Sequence, residues 1–163
     1  MTAATDLTDR AWRLAFRLAW CMLRAWWFLR RPHIQGVYVA VWCDERILII
    51  RNSYKHYSTV PGGGVNQGEP RDQAAARELR EEVGLEVVPA SLCLAMEDVL
   101  YFEHKHDHVT VYELDMAREG PPRIDGREVV TARYMTMEEA LAIPLSPVVR
   151  QYLERRVGLK HAE

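Results

Sequence analysis

Cysteine is scarce in this chain of 163 residues: Cys21, Cys43 and Cys93 stand far apart, no pair is spaced as CxxC, and their number is odd. A disulfide framework and a cysteine zinc site are therefore excluded, and a reducing, cytoplasmic compartment is expected. Internal repeats and low-complexity tracts are missing as well. So is an apolar run free of charge, because the most hydrophobic stretch, residues 11–29, is broken by Arg13, Arg17 and Arg24. A central Arg costs about 2.5–3.5 kcal/mol on insertion, which disfavours a membrane span. A cleaved signal peptide fits no better, since Arg24 interrupts the apolar stretch and no A-x-A site follows it. Beyond the first segment, excess positive charge is lacking too. Of the net charge of −2, residues 1–33 hold +4 (six Arg against Asp6 and Asp9), which leaves −6 on the remainder. An acidic body excludes nucleic acid as a main partner and suits a protein that collects cations.

What is present is enough for one globular core: 48% of residues are hydrophobic and 27% charged. Residues 1–33 read as a helix rich in Arg and Trp, with residues 34–163 as the domain proper. At 100° per residue Arg10, Arg13, Arg17, Arg24 and Arg31 fall on one narrow face, and apolar side chains cover the rest. Such a helix either lies in a membrane interface through residues 8–31 or packs on its own domain or a second subunit, so a homodimer stays open. After Pro32, residues 35–42 and 46–51 are β-branched runs joined by a short turn and predict a hairpin. Residues 71–83 predict a helix stopped by Gly84. Further strands are expected over 85–88, 91–102, 109–116 and 128–136, with HKHDH (residues 104–108) as the turn before the third. Thr136 to Glu139 is a capping-box start, and Ser146-Pro147 opens a last helix ending at Gly158. The mixture predicts an α/β protein with a mixed sheet.

The chemistry concentrates in PGGGVNQGEPRDQAAARELREEVGL, residues 61–85. Glu78, Glu81 and Glu82 crowd one helical face, although like charges at this spacing cost an isolated helix roughly 0.2–0.5 kcal/mol per pair. Alone, RELREE is an ordinary solvated face. The preceding Gly62-Gly63-Gly64 changes that, because glycine lets backbone approach a phosphate or a metal. Carboxylates on a packed helix make a hard oxygen site for Mg²⁺ or Mn²⁺.

Gly63, then Glu69, then Arg77-Glu78-Leu79-Arg80-Glu81-Glu82-Val83-Gly84-Leu85 resembles the complete Nudix box, with seven identities and two apolar positions met. By chance this arises about once in 10⁸ starting points. The likeness covers roughly residues 34–158. It implies an α/β/α sandwich, with the helix of residues 1–33 in front, that hydrolyses a nucleoside diphosphate linked to another group with divalent-cation help. A non-catalytic Nudix-fold module that senses a nucleotide or joins a membrane is the alternative. The resemblance implies that Glu78, Glu81 and Glu82 bind metal, with the Gly63 carbonyl. It implies a general base in Glu81 or the distal Glu128, Arg77 as the group orienting Glu81, and Glu69 as a brace for the loop. Asn66 and Ser58 depart from the family's frequent glutamate and aromatic at those positions. His104, His106 and His108 suit a polar turn better than a chelate, and Tyr101 and Phe102 are expected in the core.

Overall fold

The structure, a computed structural model, describes residues 3–160. Its elements in order are α1 (Ala3–Arg30), β1 (His33–Cys43), β2 (Arg46–Asn52), β3 (Gly62–Gly64), α2 (Arg71–Val83), a 3₁₀ turn (Pro89–Ser91), β4 (Cys93–Phe102), β5 (Lys105–Met116), β6 (Val129–Thr136), α3 (Met137–Leu141) and α4 (Pro147–Lys160). The strands form one mixed sheet in the order β4-β5-β1-β2-β6, with β3 paired to β1. β1 and β5 are parallel, while the β1–β2 and β4–β5 pairs are antiparallel hairpins.

Alternation along the central strands builds three layers. Val37, Val39, Val41, Leu48 and Ile50 point to one face, where Ala74, Ala75, Leu79 and Val83 of α2 cover them. Ala40, Trp42, Ile47 and Ile49 point to the other, under Val148, Val149, Tyr152 and Leu153 of α4. The expected α/β/α sandwich with a mixed sheet is therefore present.

Several local expectations change. Residues 85–88 join no strand, because Pro89 and the 3₁₀ turn follow at once. β5 begins at Lys105, so HKHDH is mostly strand and only Glu103 and His104, at φ 53° and 66°, make the turn. α4 runs through Gly158 to Lys160. Tyr101 is 57% exposed rather than core, because the β4–β5 hairpin extends beyond the helical layers there, whereas Phe102 packs against Tyr57 at 5.6 Å. Arg31 lies outside α1 at φ 44°, just before Pro32, and leaves the arginine face.

Among the described residues no helix is long and apolar enough to cross a membrane. α1 instead lies against the loop ends of the sandwich by one edge. Arg13 donates to the Gly126 carbonyl at 2.8 Å, Arg17 to that of Ser53 at 3.2 Å, and Asp9 pairs with Arg127 at 2.9 Å. Aromatic contacts continue the edge: Phe16 and Trp20 on Tyr54, and Trp27 over the Lys105 ammonium.

Candidate active site

Gly84 fixes where the glutamate helix stops. At φ 68° it takes the left-handed conformation and donates its N–H to the Arg80 carbonyl, closing α2. Buried Leu79 and Val83 then lock the rotation of α2 about its axis and turn Glu78 and Glu82 toward the glycine strand. Glu82 is buried; its two oxygens accept from the Gly62 N–H at 2.8 Å and Asn52 Nδ2 at 3.2 Å. Burial pushes its carboxyl up to about 7, against the pull of those hydrogen bonds and of Lys55.

Glu78 rests on Gly63. A Cβ built there would meet the Glu78 carboxylate at 2.6–2.7 Å, so only glycine leaves room. The Glu78 carboxyl is raised by burial first, with Glu81 and Glu128 adding to the rise and Arg77 opposing it. Arg77 works as a clamp. It reaches Glu69 at 2.9 Å, the Gly64 carbonyl at 2.9 Å, Glu78 at 2.6 Å and Glu81 at 3.3 Å. Its hydrogen bonds, with one from the Asn66 N–H, hold the Glu69 carboxyl down at about 2. Glu81 lies further out, half-exposed between Arg77 and Arg80.

Glu128 directly precedes β6 and is brought to the far end of β2. Its carbonyl accepts from the Ser53 N–H at 2.8 Å, and its carboxylate accepts from the Tyr54 hydroxyl at 2.8 Å. Sequence reasoning overlooked Asn52 and Tyr54, which hold Glu82 and Glu128 in place. The one signal available was the polar and aromatic run NSYKHYS between two strands. The histidines do not join this site: His104 faces Phe28 at 5.0 Å and His106 stacks on His33 at 4.6 Å.

Among the described residues no three His, Cys, Asp or Glu side chains stand close enough to hold a cation as they are placed, Arg77 having drawn Glu78 and Glu81 to itself. The donor set still suits a hard divalent ion. Glu78 and Glu82 both face the glycine strand, Glu78 lies where a Cβ on Gly63 would intrude, and Asn52 Oδ1 is buried beside Glu82 without a hydrogen-bond partner.

A three-layer sandwich with a glycine strand facing a glutamate helix defines the class of the protein. The model of the NUDIX domain matches residues 32–155, and the chain belongs to the Nudix hydrolase family. An uncharacterized Nudix hydrolase of Pseudomonas aeruginosa is 27% identical over 121 residues, 69% of each chain. A MutT NUDIX hydrolase from Burkholderia pseudomallei superposes with a TM-score of 0.66 at 25% identity, covering 75% of this chain and 96% of that one. The dihydroneopterin triphosphate pyrophosphohydrolase of E. coli superposes with a TM-score of 0.63 at 22% identity, over 74% and 92%.

Proposed function

We propose that this enzyme hydrolyses a phosphoanhydride bond in a nucleoside diphosphate linked to a second group, with Mg²⁺ or Mn²⁺ as cofactor. The observation that carries this reading is the packing of Glu78 and Glu82 against Gly63 and Gly62 of the glycine strand, with Glu128 near enough to raise the Glu78 carboxyl. Glu78, Glu81, Glu82 and the Gly63 carbonyl would hold the ion, which when bound would supply charge neutralisation at the phosphate and a more acidic water. Glu128, oriented by Tyr54, takes the proton of the attacking water, with Glu81 as the second candidate base. The water oxygen bonds to phosphorus as the bridging P–O bond breaks, and the leaving phosphate keeps the electron pair. Arg77 is a positioning residue: it ties Glu78 and Glu81 to the glycine loop.

The test is phosphate or nucleotide release from a panel of nucleoside triphosphates, dinucleoside polyphosphates, ADP-ribose, sugar nucleotides and prenyl diphosphates with magnesium. EDTA should abolish it, and Glu82→Gln should lower it by about two orders of magnitude or more. An unchanged rate in Glu82→Gln refutes the site assignment. Binding without turnover across the panel favours a non-catalytic sensing module instead.

A second observation supports peripheral membrane contact on the cytoplasmic side. Leu7, Ala11, Leu14, Leu18, Met22, Ala25 and Leu29 form one stripe on α1 opposite the edge that touches the sandwich, and all seven are exposed. Leu18, Met22 and Leu29 are 58%, 74% and 79% exposed. The stripe matches a bilayer in polarity. Full-length protein should sediment with phosphatidylglycerol vesicles, and Leu18→Glu with Met22→Glu should release it. If light scattering shows instead a dimer that the same double variant splits, the stripe is a subunit interface.

A further inference from the structure

Lys55 is not used in the scheme above. It sits in the loop between β2 and β3, part-buried beneath α1, with its ammonium 5.5 Å from the ring centroids of both Trp20 and Tyr54. Burial drives its amine below the usual lysine range, and the charge of nearby Lys105 adds to this. The carboxylates of Glu82, Glu103 and Glu128 surround it closely enough to be felt. None of them forms a salt bridge with it among the described residues, because each takes its hydrogen bonds elsewhere. Glu82 accepts from Gly62 and Asn52, Glu103 from Tyr57 at 3.2 Å, and Glu128 from Tyr54. Lys105 makes the contrast: it is satisfied by Asp107 at 2.9 Å.

A part-buried ammonium beside two ring faces, with no carboxylate at salt-bridge distance, lacks the partner that usually offsets its desolvation. Its geometry is fixed nonetheless. Trp20 packs at a tilt against Tyr54 at 5.1 Å, and Tyr54 is anchored through Glu128, so Lys55 is held between α1 and Glu128. We infer that Lys55 is a binding residue for the phosphate oxygens of the substrate's diphosphate group, in a site roofed by Trp20 and Arg24 of α1. One side of the diphosphate faces the glutamates of the box, and the other takes a charge-assisted hydrogen bond from Lys55. Arg24 adds positive charge on the same flank, where it is felt by Glu103 and Tyr57. This rests on the diphosphate reading of the site, and it makes α1 a wall of that site.

The test uses full-length protein and methylenediphosphonate, whose P–C–P link resists hydrolysis, in low-salt buffer with EDTA. Calorimetry gives the Kd, and emission of Trp20, compared with Trp20→Phe, reports whether the ammonium beside it has moved. Native protein should bind with a saturable emission change. Lys55→Met should raise Kd by about tenfold or more, the loss of one charge-assisted hydrogen bond. Lys55→Arg should restore Kd to within about threefold, which separates loss of the anion site from loss of fold. Glu82→Gln, which removes a negative charge and the activity, should leave metal-free binding as tight or tighter. No binding by native protein, or a Kd within about twofold of native in Lys55→Met, overturns the inference. If Lys55→Met loses binding while Glu82→Gln keeps turnover, the site stands and the catalytic reading falls.

Discussion

Glu82→Gln should stabilise the metal-free protein while removing its activity. Glu82 is 9% exposed, and burial moves its carboxyl from an ordinary 4.5 up to about 7. At 1.36 kcal/mol per pH unit that rise corresponds to roughly 3 kcal/mol, already net of Lys55 and the hydrogen bonds. The folded protein holds the proton more tightly than the unfolded chain, so between pH 4.5 and 7 the native state binds more protons. Stability conferred by the protonated group is complete below about 4.5 and is lost as pH rises through 7. Gln is neutral at every pH and escapes this loss. The hydrogen bonds survive the change: Gln keeps one oxygen for the Gly62 N–H, and an amide flip of Asn52 turns its unpartnered Oδ1 toward the new NH₂. In EDTA at pH 8 the variant should melt higher by about 6–12 °C, at about 2–4 °C per kcal/mol for a chain of this size. At pH 5 the gap should shrink to about 2–3 °C. Thermal melts followed by circular dichroism decide it. A variant that melts at or below native at pH 8, or by the same margin at both pH values, refutes the claim that Glu82 is a destabilising buried charge.

Gly63→Ala places a methyl 2.6 Å from Glu78 Oε1; kcat should fall by about tenfold or more while the unfolding free energy changes by under about 1 kcal/mol. Tyr54→Phe removes the 2.8 Å hydrogen bond that orients Glu128. A hydrogen bond to a carboxylate is about 1.5–3 kcal/mol, so kcat should drop about tenfold or more with KM little changed. Trp20→Ala strips the ring from Tyr54 and Lys55 together and should raise KM as well as lower kcat, in steady-state assays free of lipid. Leu79→Ala, at a fully buried position under α2, should cost about 3 kcal/mol in urea unfolding, with activity lost alongside as the helix loosens.

The glutamate helix was legible because its signals are local. Gly84 stops it, Ala75, Leu79 and Val83 mark its buried face, and the carboxylates follow from that rotation. The β1–β2 hairpin and the α3 capping box were legible for the same reason, each being set by residues a few positions apart. Pairings across the chain were not. Nothing near Glu82 in sequence announces Asn52, and nothing near Glu128 announces Tyr54; the first depends on α2 packing over β2 and the second on β6 lying beside β2. The resemblance supplied Glu128 as a candidate base, and the sheet order explains why that position reaches the site. Residues 85–88 and Tyr101 misled because apolar and aromatic content mimics a buried strand, while exposure depends on where the helical layers end.

α1 carries two surfaces with opposite preferences, and the sandwich satisfies only one of them. Its inner edge is narrow, Asp9, Arg13, Phe16, Arg17, Trp20 and Trp27, and is matched contact for contact by segments of the sandwich, one of which carries Glu128. The outer stripe has no counterpart among the described residues and no charge to make it comfortable in water. A helix whose role was only to complete the core would bury its leucines and expose its arginines; here arginines donate to backbone carbonyls while leucines face out. That inversion is the arrangement expected where an apolar phase lies beyond the helix and the diphosphate site lies beneath it. Phe16 and Trp20 on its inner edge both rest on Tyr54, whose hydroxyl donates to Glu128, so a single ring lies between the helix and that glutamate.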